Sequence, residues 1–424
     1  MLIEAWSHPM AACARRVTAV GSHGSIIAVG FSSGVLQIFD AQGGLISQDH
    51  RHKDALMSVA VVDDGDTVVT GGVDGYVVVS VSCGPRTAST AWLLLKAGRH
   101  GLHIEHLAAT SDCWAALVGR EVAVGPIGEA AVERLVYLGP LPNAADGLAI
   151  VGGGSIVAAA SFGGLTLWRR HAPESGSETG CALGYLRAEP LAAARRSHVA
   201  DLACDGWARS LVASPDGAWL AAGVTEASKT TLWLWRVVDG ADFECGGLRG
   251  EVLAIEWSSD SHLCATCSTG TSTVFVWRFG ARSSGADGTS QAVKRARMTP
   301  ALGASGVRMA TTSPAGQPPH RLRLSQGRPI ALAFQPHTSA ASVLACGGDD
   351  GAIELFTLQR GVDSVLLRWS PPTHRPAPPL DHLLWCDANL LIAASHDEAA
   401  SDPIDEHSGE GSVARGVVAL RLAL

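Results

Sequence analysis

Long apolar runs are missing from this sequence. Nothing in its 424 residues approaches the roughly 20 consecutive apolar residues of a membrane-spanning helix, so a soluble chain is expected. Charge is also sparse, at 17% of residues, and 32 Lys and Arg stand against 40 Asp and Glu, for a net charge of -8. That balance argues against binding nucleic acid or an anionic membrane through the whole surface, and leaves only a local patch for such a role. Lys is nearly absent, four residues against 28 Arg, and the spacing of the arginines gives that skew no function. Cys occurs ten times but singly, apart from Cys264 and Cys267. Without the dense spacing of a disulfide framework, a reducing, intracellular setting is expected, cytoplasmic with the nucleus also open. Glu4, His8, Arg15 and Arg16 fall inside what would have to be the apolar core of a secretory leader, so none is expected. A Gly-x-Ser-x-Gly elbow, a Walker A loop and a dinucleotide glycine fingerprint are lacking too, and no cofactor is implied.

What the chain has is repetition. Its composition is globular, 47% hydrophobic with 48 Gly. A pattern recurs of two or three aliphatic residues, a small residue, one to three Gly, Ser or Asp positions and an alternating apolar strand. The fullest instance is Val68-Val69-Thr70-Gly71-Gly72-Val73-Asp74-Gly75 leading into Tyr76-Val77-Val78-Val79. The small residues Ala28, Thr70, Ala115, Ala158, Ala221, Ala265, Ala345 and Ala393 anchor the units, at intervals of 42, 45, 43, 63, 44, 80 and 48 residues. Most intervals lie near the roughly 40 to 45 residues of a four-stranded propeller blade, and the two long ones read as insertions in a regular frame. Strand-like segments precede the anchors, such as Met57 to Val62 and Val252 to Trp257, and Ser214-Pro215-Asp216-Gly217 reads as a hairpin turn between two strands.

These residues resemble the WD-repeat (WD40) β-propeller family over essentially the whole chain. His52-Lys53-Asp54 is similar to the family's Gly-His approach, and Asp74 stands in the tight turn where the family keeps a structural Asp, so the resemblance gives His52 and Asp74 structural roles. Trp168, Trp235, Trp277, Phe39 and Phe356 end third strands, where the family places its Trp-Asp pair. Only Asp40 supplies the acid, while Arg169, Arg236 and Arg278 replace it elsewhere. The resemblance implies an all-β fold over 1–424, a closed propeller of four-stranded blades. The unit count gives eight blades, with seven the alternative if the third or last unit is irregular. The last unit holds three strands, so Met1 to Trp6 is expected to supply its fourth and close the ring.

Two insertions carry opposite charge. Residues 281–319, after the third strand of the sixth blade, contain Lys294, Arg295 and Arg297, a possible basic docking or nuclear-import signal; the simpler reading is a solvated charge run. Residues 395–415, between the second and third strands of the last blade, contain Asp397, Glu398, Asp402, Asp405, Glu406 and Glu410. Family blade geometry puts the acidic loop on the top face and the basic one on the bottom. Asp349 and Asp350, together with that acidic loop, are the candidate partner-binding residues. His100, His103, Glu105 and His106 form the densest set of metal-ligand types, but an extended backbone turns His106 away from His103 and Glu105, so convergence needs a bulge and no metal is expected. Cys264-Ala265-Thr266-Cys267 puts its thiols on opposite faces of a strand, which favours buried packing over a zinc site. His396, Asp397, Glu398 and His407 read as a solvated loop, and the prolines from Ser370 to Leu380 as a stiff link.

The function expected from this reading is a non-enzymatic scaffold whose face loops dock protein or peptide partners on a rigid frame. A propeller hydrolase competes with it, and would show a cluster of inward-facing His, Asp or Glu in the central channel. A nucleic-acid-associated subunit using the 281–319 insertion is a third reading; no membrane partner is expected.

Overall fold

A computed structural model describes residues 2–9, 16–62, 67–82, 90–96, 102–127, 135–170, 185–187, 206–226, 229–238, 242–279, 318–336, 342–359, 362–370, 379–395 and 415–422. Among them every regular element is a β-strand, 32 in all. They form six four-stranded sheets and one of eight strands, the latter being two four-stranded units joined by a single parallel pairing of Asp146 with Arg209. The described strands thus make eight four-stranded blades. The first strand of each packs on the first strand of the next, and His382–Trp385 of blade 8 returns to Val17–His23 of blade 1.

Second strands such as Thr67–Gly72, Cys113–Val118, Ile156–Ser161 and Leu263–Ser268 are buried at every residue. A strand covered on both faces needs no polar alternation, which is why these segments read as runs of aliphatic and small residues. Eight hydrophobic clusters fill the gaps between neighbouring blades. One joins Ala28 and Leu36 of blade 1 to Leu56 and Val68 of blade 2; another joins Ile27 and Phe39 of blade 1 to Leu390, Ile392 and Ala419 of blade 8, which closes the ring. Burying one Trp such as Trp277 removes about 150–250 Å² from water, on the order of 4–6 kcal/mol of transfer free energy as an upper bound.

Six of the repeat anchors, Ala28, Ala115, Ala158, Ala221, Ala265 and Ala345, face the following blade. Thr70 and Ala393 do not. In blade 2 it is Val69 that packs on Ile104 and Trp114 of blade 3, while in blade 8 Ala393 packs back on blade 7. The anchors chosen in those two units are one residue out of phase, and a one-residue slip in a strand changes the face. The closing strand is Leu2–Pro9, paired antiparallel with Arg415–Leu422 from Leu2 opposite Leu422 to Pro9 opposite Arg415. It supplies the outer strand of blade 8 and runs beyond the expected Trp6.

Trp168, Trp235, Trp277, Phe39 and Phe356 stand across the ladder from Val157, Leu220, Cys264, Ile27 and Leu344. Blade 3 reverses the sizes. Trp114 on its second strand faces Gly125 on its third, and a Cβ on Gly125 would lie 2.5 Å from the Trp114 ring. The Ser214 turn forms as expected, with Gly217 N–H donating to Ser214 O at 2.8 Å and Gly217 at φ 65.

Candidate functional site

In blades 1, 2, 6 and 7 the turn between the second and third strands is bonded to the link arriving from the preceding blade, Ser32, Val73, Thr269 and Asp349 N–H donating to Arg16, Ala55, Glu251 and Arg328 O. In blade 2 this junction is a buried hydrogen-bonded chain. His52 Nδ1 lies 3.0 Å from Asp74 Oδ1 and His52 Nε2 lies 2.8 Å from Thr70 Oγ1, while Lys53 and Tyr76 N–H donate to the Asp74 carboxylate at 2.9 and 3.1 Å. Burial alone pushes the Asp74 carboxyl up, but the bonds from His52, Lys53 and Tyr76 together outweigh it and hold the pKa below its ordinary value. The His52 and Asp74 side chains are only 2% and 4% exposed, so their bonding is spent inside the fold.

Blade 7 builds the same junction from different residues. Asp349 N–H donates to Arg328 O as Val73 N–H does to Ala55 O, which places Asp350 where blade 2 has Asp74 and Ser325 where it has His52. Arg368 on the outer strand takes over the bridging role: Nη2 lies 2.9 Å from Asp350 Oδ2 and Nη1 lies 2.6 Å from Glu354 Oε1. Glu354 is 1% exposed and also accepts from Ser325 N–H at 2.9 Å. Asp349 pairs with Arg328 Nε at 3.1 Å. Both candidate carboxylates therefore already hold cations of their own chain.

The feature that strand alternation hides is a bulge. In blades 1 to 7 the register slips by one residue near the start of the first strand, at Val17/Ala19, Leu56/Ser58, Ile104/Leu107, Ala145/Gly147, Arg209/Val212, Val252/Ala254 and Pro329/Ala331. Bulges bend a strand and re-aim side chains, and here they do so around the channel at the end of the blades that carries the Asp74 and Asp350 turns. Blades 2 to 5 together line a cavity of about 410 Å³ there, whose polar wall is Ser58, His106, Asp146, Arg209 and Ser210. Ser210 sits at φ 54, a left-handed conformation that a non-glycine residue adopts at a cost. Arg209 is held by Asp146 (Nε to Oδ2, 3.2 Å) and Glu251 (Nη1 to Oε1, 3.2 Å). Its guanidinium lies 5.7 Å above the ring of Trp207, which meets Phe162 edge-on at 5.4 Å and remains 41% exposed. Burial lowers the His106 pKa against the raising pull of Glu105 and Asp146, which favours the neutral ring.

Of these residues the sequence singled out only Glu105 and His106, as members of a weak metal set. The bulge that convergence required is present, yet among the described residues no group of three or more His, Cys, Asp or Glu is placed to hold a metal ion. His103 Nδ1 lies 2.6 Å from Val73 O, and His100 lies outside the described residues. Cys264 and Cys267 are fully buried on opposite faces, one against blade 5 and the other against blade 7, and burial raises both thiols, Cys267 to about 12. Lys294, Arg295 and Arg297, and Asp397, Glu398, Asp402, Asp405, Glu406 and Glu410, lie outside the described residues. Asp146, Arg209 and Trp207 were missed because their meeting depends on residues 63 positions apart, for which no local pattern exists.

The family model described as "WD domain, G-beta repeat" matches residues 44–79, which run from the outer strand of blade 1 through the first two strands of blade 2 into its third. Residues 44–79 thus match one WD repeat, and the chain as a whole has a β-propeller fold. No curated protein matches it by sequence. Among solved structures it is similar to Sqt1 of Chaetomium thermophilum, at 15% identity and TM-score 0.65 over 99% of this chain and 98% of that one. The same Sqt1 bound to the N-terminus of the ribosomal protein L10 aligns at 15% identity and TM-score 0.63, over 98% and 100%. The β-propeller domain of Cps50 (Swd1) from Myceliophteria thermophila aligns at 12% identity and TM-score 0.52, over 96% and 97%. At these identities the likeness is one of fold.

Proposed function

We propose that this protein is a non-enzymatic scaffold that docks a peptide segment of a protein partner at the channel mouth between blades 2 and 5. The observation that carries the reading is the cavity of about 410 Å³ lined by Arg209, whose guanidinium lies 5.7 Å above the half-exposed ring of Trp207. Aromatic anchors over preformed concavities are where binding energy concentrates, and a closed ring orders the surface before the partner arrives. That Sqt1, of the same fold, is seen bound to the N-terminus of a ribosomal protein supports a peptide as the kind of partner. The acidic residues of 395–415 are a second proposed contact, since their flanking strands Leu390–Ala394 and Arg415–Leu422 place the ends of that segment at the same end of the blades.

The hydrolase reading gains His106 and Asp146 in the channel but no hydrogen bond among the described residues links His106 to Ser58, Ser210 or Asp146, as a base activating a nucleophile would require. The test is affinity capture from native extract with mass spectrometry, comparing wild type, Trp207→Ala and a variant with Asp397, Glu398, Asp402, Asp405, Glu406 and Glu410 changed to Ser. Partners lost with Trp207→Ala place docking at the channel mouth, and partners lost only with the loop variant move it to the loop. No reproducible partner with wild type would sink the scaffold reading.

A further inference from the structure

We infer that the channel mouth selects a docked segment by a cation-tipped side chain, Lys or Arg, seated against Trp207 and the carboxylates around Arg209. This rests on the scaffold reading above and adds the partner's chemistry to it. Three features of different kinds lie around Arg209 and His106, which line the cavity. The first is room: a cavity of about 410 Å³, within the range that encloses a small ligand. The second is Trp207, whose ring already carries one guanidinium at 5.7 Å and keeps 41% of its surface exposed, beside Phe162. An indole face attracts ammonium and guanidinium groups through its quadrupole and does not attract carboxylates. The third is charge. Asp146 and Glu251 are both spent on the one cation Arg209, and Glu105 on the adjoining bulge is exposed without any cation drawn to it among the described contacts. Burial disfavours the charged form of His106, so it does little to redress the balance.

Among the described residues an anion would meet three carboxylates, Asp146, Glu251 and Glu105, against the one guanidinium of Arg209, and would have to break the Arg209 pairs to be bound. A cation meets the surplus directly. Arg209 itself demonstrates the geometry, since its guanidinium is held by two carboxylates and an aromatic face at once. Glu251 is 56% exposed, so its second oxygen is open to a partner from solvent. Recognition by partly desolvated carboxylates beside an aromatic face contributes more to choice of partner and to on-rate than to raw affinity.

The probe is a phage library of random twelve-residue peptides panned on the full chain. Wild type is compared with Trp207→Ala and with the near-isosteric double variant Asp146→Asn/Glu251→Gln, after thermal melts show that each variant is folded. The expected result is winners enriched in Lys or Arg at one position, weakened tenfold or more by Trp207→Ala, with the double variant losing that enrichment and shifting toward acidic peptides. Winners that depend on Trp207 but show no Lys or Arg preference would overturn this inference and leave the scaffold reading standing. If no peptide is enriched on wild type, both are overturned.

Discussion

Trp114 and Gly125 hold, in exchanged positions, the large and small residues that blades 4, 5 and 6 place the other way round, with Trp on the third strand. The space between blades 2 and 3 is therefore filled by the sum of the pair. Trp114→Ala is expected to cost about 3–5 kcal/mol through the cavity it leaves, and Gly125→Val to destabilise by about 1–3 kcal/mol by overpacking. Trp114→Ala/Gly125→Trp should recover much of the loss, and thermal melts showing plain additivity of the single changes would count against shared volume. Glu256 is the second telling residue. Gly21, Ala60, Ala108, Ala149, Val212 and Ala333 occupy its place in other first strands, opposite Ala28, Val69, Ala115, Ala158, Ala221 and Ala345. In blade 6 a carboxyl stands there, opposite Ala265, and burial raises its pKa to about 8. With a folded pKa above the unfolded one, the folded chain holds the extra proton, so stability falls as pH rises from about 4.5 through about 8 and the full cost remains above that. Glu256→Gln is expected to raise Tm, with the gain over wild type widening between pH 5 and 8; a gain that does not change with pH would refute the assignment.

At the scale of elements, the junctions of blades 2 and 7 perform one task with two chemistries. The imidazole of His52 joins the turn Asp to the second strand, while the guanidinium of Arg368 joins the turn Asp to a carboxylate on the third. Arg368→Met leaves the buried Glu354 with the Ser325 bonds but no cation, a change expected to cost about 3–5 kcal/mol. Arg368→Met/Glu354→Met removes both charges and should regain most of that, as read by urea unfolding midpoints. A double variant no more stable than the single one would show that the pair is not the unit. The repeat made Asp74 legible as structural from its neighbours His52 and Gly75, yet left Asp350 as a candidate contact, because Arg368 comes from another strand and no sequence spacing reveals it. The bulges were illegible for a related reason: an extra residue in a strand shows only against the partner it fails to pair with.

The ring closes where Leu2–Pro9 pairs with Arg415–Leu422. Removing Leu2–Pro9 uncovers the backbone edge of Arg415–Leu422, and an uncovered edge is a template for pairing with another molecule. The shortened chain is expected to melt at lower temperature and to associate with concentration in size-exclusion chromatography, and a synthetic peptide of residues 2–9 added in excess should reverse both. A shortened chain that stays monomeric with an unchanged Tm would show that the pairing contributes little.

Much of this was present in the order of residues alone. Buried second strands impose runs of aliphatic and small residues, the turns impose Gly and Asp, and the interval between such runs measures a blade; hence the all-β repeat, the eight units and the strand that closes the ring could be read locally. What only the tertiary structure decided is which side chains meet across blades. The pairing of Asp146 with Arg209, the seating of that guanidinium over Trp207 and the clasp of Arg368 on Glu354 all arise from the curvature of the ring and from one-residue slips in register. Hydrophobic periodicity is a property of each strand by itself, whereas a site at a channel mouth is a property of several strands held at a common end.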